Sequence, residues 1–367
     1  MQHARQLDEL RRRVIPGVRK IAILRANGIG DFIFALPALE ALRATYPDAE
    51  IVLLGKHWHA EFLRDRPGPV DRVVVVPPCR GVTVPPDADD DPAELDRFVS
   101  AMRRERFDLV IQLHGGGRYS NPLALRLGAR LTIGLRAPDV PPLDRWLPYV
   151  YYQSEIHRYL EVAALAGAPP VTLDPRLAVT DRDLAESFAV LPETGEPLVA
   201  LHPGAGAPDR RWPPEKFAAV GDALARAGAQ VIVIGTEPER RLVEQVLAEM
   251  ETAAEDLCGK LSLGGLAGLL SRCALAVSND SGPLHLAAAV GTPTVGIFWC
   301  LNMITAGIPG RRRHRPVISW QVTCPVCGTD HSRGWCPCGN SFVAGIPVED
   351  VVEPALDLLH SARESEQ

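Results

Sequence analysis

The chain lacks any run of about 18 apolar residues in its 367, so no membrane-spanning helix is expected. Its first stretch, MQHARQLDELRRRVIPG, is charged throughout and has no apolar core of the kind a secretory signal needs. The expectation is a cytoplasmic protein. A Walker A lysine is also missing. The first glycine-rich turn, ANGIGDF, has two of the three glycines of a dinucleotide fingerprint. Phe34 stands where the third small residue belongs, and Glu50 comes before the second strand rather than at its end. Both departures weaken a dinucleotide reading. With a net charge of -6 there is no excess of cation to suggest wholesale nucleic-acid binding.

What is present suits a globular chain of two domains: 46% apolar residues, 23% charged, and ample length for two cores. In the first half, strands are expected at Lys20 to Leu24, Ile51 to Leu54, Arg72 to Val76 and Leu109 to Leu113. Helical patterns fall at Gln6 to Val14, Phe32 to Thr45, Glu94 to Arg106, Asn121 to Leu127 and Glu155 to Ala166. The stretch Pro169 to Pro197 is rich in Pro and acidic residues and marks a boundary. The alternation then restarts, with strands at Leu198 to Leu201 and Gln230 to Ile234. Helices follow at Glu215 to Ala227, Glu239 to Met250 and Leu263 to Arg272, and a closing helix at Val348 to Ser361. The fold class expected is α/β: two Rossmann-like doubly wound domains facing across a cleft, residues 1–175 and 176–345, with 346–367 as a terminal helix. Asp89-Asp90-Asp91, in the segment Pro85 to Pro92, reads as a solvated acidic turn rather than a metal site.

The richest stretch is Ala276 to Phe298, AVSNDSGPLHLAAAVGTPTVGIF. A short apolar run ends in Ser278-Asn279-Asp280-Ser281-Gly282-Pro283, a helical pattern follows, and a second β-branched run comes after Gly-Thr-Pro. Such a unit carries the N–H groups of a helix N-terminus to the carboxyl edge of a parallel sheet, where phosphate binds. Helix capping accounts for one such residue, not for five with His285 one turn in. The loop His202-Pro203-Gly204-Ala205-Gly206-Ala207 follows the first strand of the second half. Its glycines allow close backbone approach, and Arg210 and Arg211 can neutralise a diphosphate. Asp31 opens the first helix, as an N-cap or as a general base placed against a sugar hydroxyl.

In the order GIGDFIFALPAL, LHPGAGAPDRRWPPEKF, GKLSL and SNDSGPLHLAAAVGTPTVGIF, the chain resembles the family-nine glycosyltransferases. Their best-studied members are ADP-heptose:lipopolysaccharide heptosyltransferases. The resemblance runs from about Lys20 to the C-terminal helix. It implies the GT-B arrangement and inverting transfer from a nucleoside-diphosphate sugar, ADP-linked, without a catalytic metal. It makes residues 1–175 the acceptor side and 176–345 the donor side. It implies Asp31 as the base, and Gly204, Ala205, Arg210 and Arg211 beside the phosphates. Ser281, Gly282, Pro283 and His285 fall on the diphosphate, Asp280 on the donor sugar, Glu237 on the ribose and Leu261 at the base pocket. Gly30, Gln112, His114 and Arg118 belong to the acceptor side. Gln112 and His114 depart from the residues many members carry there, which leaves the acceptor open among glycans, glycolipids and small molecules. A nucleotide-sugar epimerase of similar fold and a non-catalytic binding protein are the alternatives.

Cys324, Cys327, Cys336 and Cys338 form C-x2-C-x8-C-x-C. In a reducing compartment such pairs read as a closed structural zinc site, with His331 as a substitute ligand and two disulfides as the other possibility. Cys79, Cys258, Cys273 and Cys300 read as buried small hydrophobes. Of two basic runs, Arg11-Arg12-Arg13 and Arg311-Arg312-Arg313-His314-Arg315, the second is a candidate for contact with an anionic substrate or with the membrane around a membrane-bound acceptor.

Overall fold

The structure, a computed structural model, describes residues 14–193, 195–334 and 336–366. The helix expected at Gln6 to Val14 lies outside the described residues except for Val14, and the Arg11-Arg12-Arg13 run lies outside them entirely. The chain divides into two units, Met1–Pro175 and Arg176–Gln367.

The first unit holds β1 (Lys20–Leu24), α1 (Ile29–Thr45), β2 (Glu50–Gly55), α2 (His57–Phe62), β3 (Arg72–Val75), α3 (Pro92–Glu105), β4 (Leu109–Gln112), α4 (Ser120–Arg126), β5 (Leu131–Arg136), β6 (Arg145–Pro148) and α5 (Glu155–Leu165). Its six strands run in the order β3-β2-β1-β4-β5-β6, every pair parallel. Both faces of a central parallel strand are covered, so its sequence is apolar without alternation. In β1, Ile21 to Leu24 are fully buried. Burying each of the Ile and Leu side chains is worth about 1.5–3 kcal/mol before the entropy of ordering it. Helix α1 is apolar on all sides because it is enclosed, packing against α5 as well as lying over the sheet.

The second unit repeats the plan with α6 (Asp181–Val190), β7 (Leu198–His202), α7 (Pro214–Arg226), β8 (Gln230–Val233), α8 (Arg240–Glu249), β9 (Ala254–Asp256), α9 (Leu263–Arg272), β10 (Leu275–Asn279), α10 (Gly282–Ala289), β11 (Thr294–Trp299), α11 (Cys300–Ala306), β12 (His314–Ser319) and α12 (Glu349–Glu366). Its order is β12-β11-β10-β7-β8-β9, also all parallel. Counted from its own first strand, this is the same 3-2-1-4-5-6 topology. Strand order therefore reverses between β1 and β4 in one unit and between β7 and β10 in the other. In doubly wound sheets, ligands bind beyond the carboxyl ends of the strands at such points. Helix α12 packs on α7, β10 and β11, as part of the second core.

Three sequence features resolve directly. Asp91 is the N-cap of α3, accepting from Ala93 N at 2.9 Å and Glu94 N at 3.2 Å, while Arg80 lies 3.4 Å from Asp90 and 3.7 Å from Asp89. The acidic turn is thus a cap with a surface ion pair. Glu50 opens β2 and pairs with Lys20 and Arg72 at the amino edge of the sheet, the wrong edge for a ribose contact. The run at Arg311 enters β12 at His314, at the amino edge of the second sheet, where Arg315 pairs with Asp357 at 3.0 Å. That edge is opposite the loops that follow β7 and β10. No helix among the described residues is long and apolar enough to cross a membrane.

Candidate functional site

At the β1/β4 switch point, Asp31 is the third residue of α1, whose N-cap is Gly28. Its Oδ2 accepts from Gly28 N at 3.2 Å and its Oδ1 from Arg25 Nη2 at 3.0 Å. The carboxylate stays half-exposed, with 43% of its side chain accessible. It thus satisfies the N-cap N–H from the third position of the helix and leaves an accessible carboxylate at the sheet edge. His114, two residues past β4, faces the same loop. Its Nδ1 accepts from Ala26 N at 3.3 Å and its Nε2 donates to Gly81 O at 3.2 Å. Burial, reinforced by the Arg25 charge, pushes its pKa down to about 4, so the ring is neutral near pH 7. Gln112 is fully buried, and its amide is spent on the loop itself. Nε2 donates to His114 O, Gly115 O and Ser120 Oγ, and Oε1 accepts from His114 N. It therefore shapes the loop after β4 from behind. Gly30 sits one residue before Asp31 in the first turn of α1. Arg118 is exposed, 5.8 Å from the Tyr119 ring centroid.

At the β7/β10 switch point the polar residues are more enclosed. Asn279, fully buried at the end of β10, bridges two loops. Its Nδ2 donates to Pro203 O at 2.8 Å and its Oδ1 accepts from Trp212 N at 3.0 Å. Asp280 is 3% exposed, with Oδ1 at 3.1 Å from His285 Nε2 and Oδ2 accepting from Arg210 Nη1 at 3.1 Å. Burial alone would push this carboxyl up. The His285 hydrogen bond and charge, with Arg210, outweigh it and hold the group below the usual carboxylate range. Ser281 is the N-cap of α10, followed by Gly282 and Pro283. Its Oγ lies 3.1 Å from His202 Nδ1 and 3.0 Å from Ser278 Oγ.

The other ring nitrogen of His202 is 3.5 Å from Glu239 Oε2, which also accepts from Thr236 N at 2.8 Å and Thr236 Oγ1 at 2.7 Å. Burial opposes ionisation of Glu239, but the His202 and Thr236 contacts outweigh it and bring its pKa to about 2. A Cβ at position 204 would overlap the Glu239 carboxylate, so this contact requires Gly204. Ala205 is buried, and its carbonyl accepts from Arg211 Nε at 3.2 Å and Nη2 at 3.0 Å. Arg211 is thus folded back on its own loop, while Arg210 faces Asp280. Glu237 is exposed and held by Arg240 at 2.7 Å, and Leu261 is half-buried after the turn at Gly259. Glu239, Arg25 and Glu155 were not among the residues singled out from sequence, and His202 was read only as the start of its loop. The one signal for Arg25 is a charge directly after a buried strand. Glu239 and Glu155 sit at the starts of helices, where acids are ordinary.

The four clustered cysteines come together: their sulfurs all lie within 4.8 Å of one another, and none is disulfide-bonded. In a knuckle turn, Gly328 N donates to Cys324 O at 2.9 Å, and Gly328 takes a φ of +74° that a side chain would strain. His331 stays outside the set, with Nε2 at 3.0 Å from Cys336 Sγ. The other four cysteines are buried thiols, as expected, and burial raises Cys79 to about 11 and Cys273 to about 12. The segment after the knuckle straps the loop that follows β7. Phe342 N donates to Asp209 O at 2.8 Å, Ser341 Oγ donates to Arg211 O at 2.6 Å, and Trp212 Nε1 donates to Ile346 O at 3.0 Å. Cys324, Cys336, Phe342 and Trp212 share one core cluster.

Residues 95–324 match the model of glycosyltransferase family 9 (heptosyltransferase). That stretch contains the whole β7/β10 site, while Asp31 precedes it. Lipopolysaccharide heptosyltransferase 2 of Salmonella typhimurium is 26% identical over 304 residues, 76% of this chain and 82% of the relative. Among solved structures, E. coli ADP-heptose lipopolysaccharide heptosyltransferase II superposes with a TM-score of 0.71 at 20% identity. The match covers 94% of this chain and 99% of that one. TibC of E. coli, an iron-containing dodecameric heptosyltransferase in complex with ADP-D-β-D-heptose, gives a TM-score of 0.54 at 16% identity, over 96% and 80% of the two chains. These neighbours share the GT-B type fold.

Proposed function

Because the chain belongs to glycosyltransferase family 9 (heptosyltransferase), we propose that it moves a heptose-like sugar from an ADP-linked donor, with inversion, to a hydroxyl of a glycan or glycolipid of the lipopolysaccharide kind. The observation that carries the donor half is the buried Asp280–His285 pair at the start of α10, met by the partly exposed Arg210 of the loop after β7, all within the stretch the family model matches. In this reading the acceptor oxygen bonds to the anomeric carbon as the bond from that carbon to the β-phosphate oxygen breaks. Asp31 takes the hydroxyl proton, and the nucleoside diphosphate leaves with the electron pair. Negative charge then gathers on the diphosphate. Arg210, His285 and the N–H groups of Ser281 and Gly282 are the groups assigned to it, with Pro283, which has no N–H, setting the first turn of α10, and with no catalytic metal in the scheme. Gly204 and Ala205 border the phosphates, held by the Asn279 bridge, and Arg211 shapes that loop. Asp280 takes the sugar, Glu237 the ribose and Leu261 the base. On the acceptor side we assign Gly30, His114 and Arg118, with Gln112 acting through the loop it holds.

The test is transfer from ADP-heptose, with Asp31→Asn beside the parent chain. We expect the variant to lose transfer by about a thousandfold, the ordinary worth of one general base, because the amide can neither take the proton nor carry the charge. ADP affinity should be unchanged. Retained transfer would remove Asp31 from its role, and conversion of the donor without acceptor would favour an epimerase.

The four thiols are assigned to a structural zinc. Sulfurs about 3.8 Å apart follow from a tetrahedron with Zn–S near 2.3 Å, and the observed set is close enough to contract onto one ion. Four protein ligands leave no open position for catalysis. Sulfur sets also suit iron, so metal analysis of the purified chain decides. About one equivalent of zinc is expected. Iron in its place corrects the metal, and under about half an equivalent of any metal with four titratable thiols removes the assignment.

A further inference from the structure

Arg25 joins four segments of the first unit. It is 2% exposed, and its face lies 4.8 Å from the Tyr159 ring centroid. Nη1 donates to Leu113 O, just past β4, at 2.7 Å, and Nε donates to Asp31 O, in α1, at 3.1 Å. The remaining arm is shared: Nη2 is 3.0 Å from Asp31 Oδ1 and 3.5 Å from Glu155 Oε2. Glu155, the first residue of α5, is itself anchored. Arg158 Nη1 and the Tyr159 hydroxyl both donate to it. Arg158 is 1% exposed and is fixed in turn by Val150 O at 2.6 Å and Tyr151 O at 2.8 Å. Every polar partner of Glu155 named here is a donor, so the anionic carboxylate is the form its surroundings fit, although burial pushes its pKa up.

One arm of a buried guanidinium is thus divided between a half-exposed carboxylate and an enclosed one. A bidentate Arg–carboxylate pair would use two arms and lock its acid. Asp31 receives only part of one. We propose that Glu155 is a positioning residue for Asp31: by holding part of the Arg25 arm, it orients the Asp31 carboxylate without locking it in a full ion pair, and so keeps it available to take a proton. This rests on the reading of Asp31 as the base. The charged or titratable groups around Asp31 are Arg25 at the end of β1, Glu155 on α5 and His114 after β4, the last neutral near pH 7.

Glu155→Gln removes a negative charge near Asp31 and leaves the arm of Arg25 to Asp31 alone. Both changes favour the Asp31 anion, so it takes a proton less readily. In Glu155→Gln, kcat should fall about tenfold, the acid limb of the rate–pH profile should move to lower pH, and the donor KM should stay within about twofold. Glu155→Asp keeps the charge and should keep the limb. Tyr159→Phe frees Glu155 to draw Arg25 closer and should move the limb the other way. It is the variant to use if Glu155→Gln melts below the assay temperature. The 13C-carboxyl titration of Asp31 reads the same shift without any substrate. A shifted titration in a chain that transfers no sugar overturns the proposed function and keeps this coupling. An unmoved titration and unmoved limb in a folded variant overturn the coupling itself.

Discussion

Gly204 shows how one missing side chain can set the chemistry of a loop. A Cβ there would meet the Glu239 carboxylate, which His202 and Thr236 hold in place. Gly204→Ala should therefore displace Glu239 rather than disturb the sheet. We expect ADP affinity to fall at least tenfold by calorimetry, with a stability loss on the order of 1 kcal/mol. Glu239 also gives a pH signature. Its pKa is about 2 in the folded chain against an ordinary 4.5, so the depressed value stabilises the fold above about pH 4.5. That contribution, on the order of 3 kcal/mol, is lost as pH falls through 4.5 toward 2. In urea melts, the advantage of the parent over Glu239→Gln should be about 2 kcal/mol smaller at pH 3 than at pH 7. An advantage that does not change with pH would mean that the carboxylate is not held as described.

Among the elements, the apolar central strands were legible, as was the edge strand β3, whereas the interior β5 and the edge strands β6, β9 and β12 were not. Strands β1, β4, β7 and β10 are continuous apolar runs because both their faces are covered, and α1 and α10 begin at recognisable glycine and serine turns. Edge strands carry weaker signals. Strand β12 contains Pro316 and begins in a basic run, which reads as a loop. An edge position tolerates both, because one side of the strand needs no partner. β6, Arg145–Pro148, is exposed and ends in proline for the same reason. The strap from Ser341 to Ile346 had no sequence signal at all, since on its side the contacts with Asp209, Arg211 and Trp212 are made by backbone groups and one hydroxyl, across 130 residues or more. It makes a prediction at this scale. If metal at the knuckle anchors the strap, removing it with a chelator should speed hydrogen exchange at Phe342 N and at the Trp212 indole Nε1, while the amides of β1 and β4 stay protected. Equal exchange in the loaded and stripped chain would show that the knuckle and the donor-side loop are independent.

At the scale of the whole molecule, two units share one topology but differ in what stands at the switch point. In the first it is a half-exposed Asp31 with a neutral His114. In the second it is a buried acid, Asp280, flanked by Arg210 and His285. The resemblance read from the four motifs assigned these to acceptor and donor, and periodicity alone would not have done so. The division of labour is open to measurement because the two sets lie in different units. A panel of ADP, UDP, GDP, AMP and NAD near millimolar concentration should stabilise the chain selectively. A nucleotide at 100 times its dissociation constant adds about 2.7 kcal/mol, which raises the melting temperature of a domain of this size by roughly 5–10 °C. ADP should exceed AMP, because the proposed function assigns the second phosphate to Arg210 and the start of α10. Arg210→Ala should erase that difference, whereas Asp31→Asn should leave it whole. UDP or GDP in place of ADP would keep the transferase and change its donor. A response to NAD alone, or an Asp31→Asn variant that loses the ADP response, would end the assignment of donor and base to separate units.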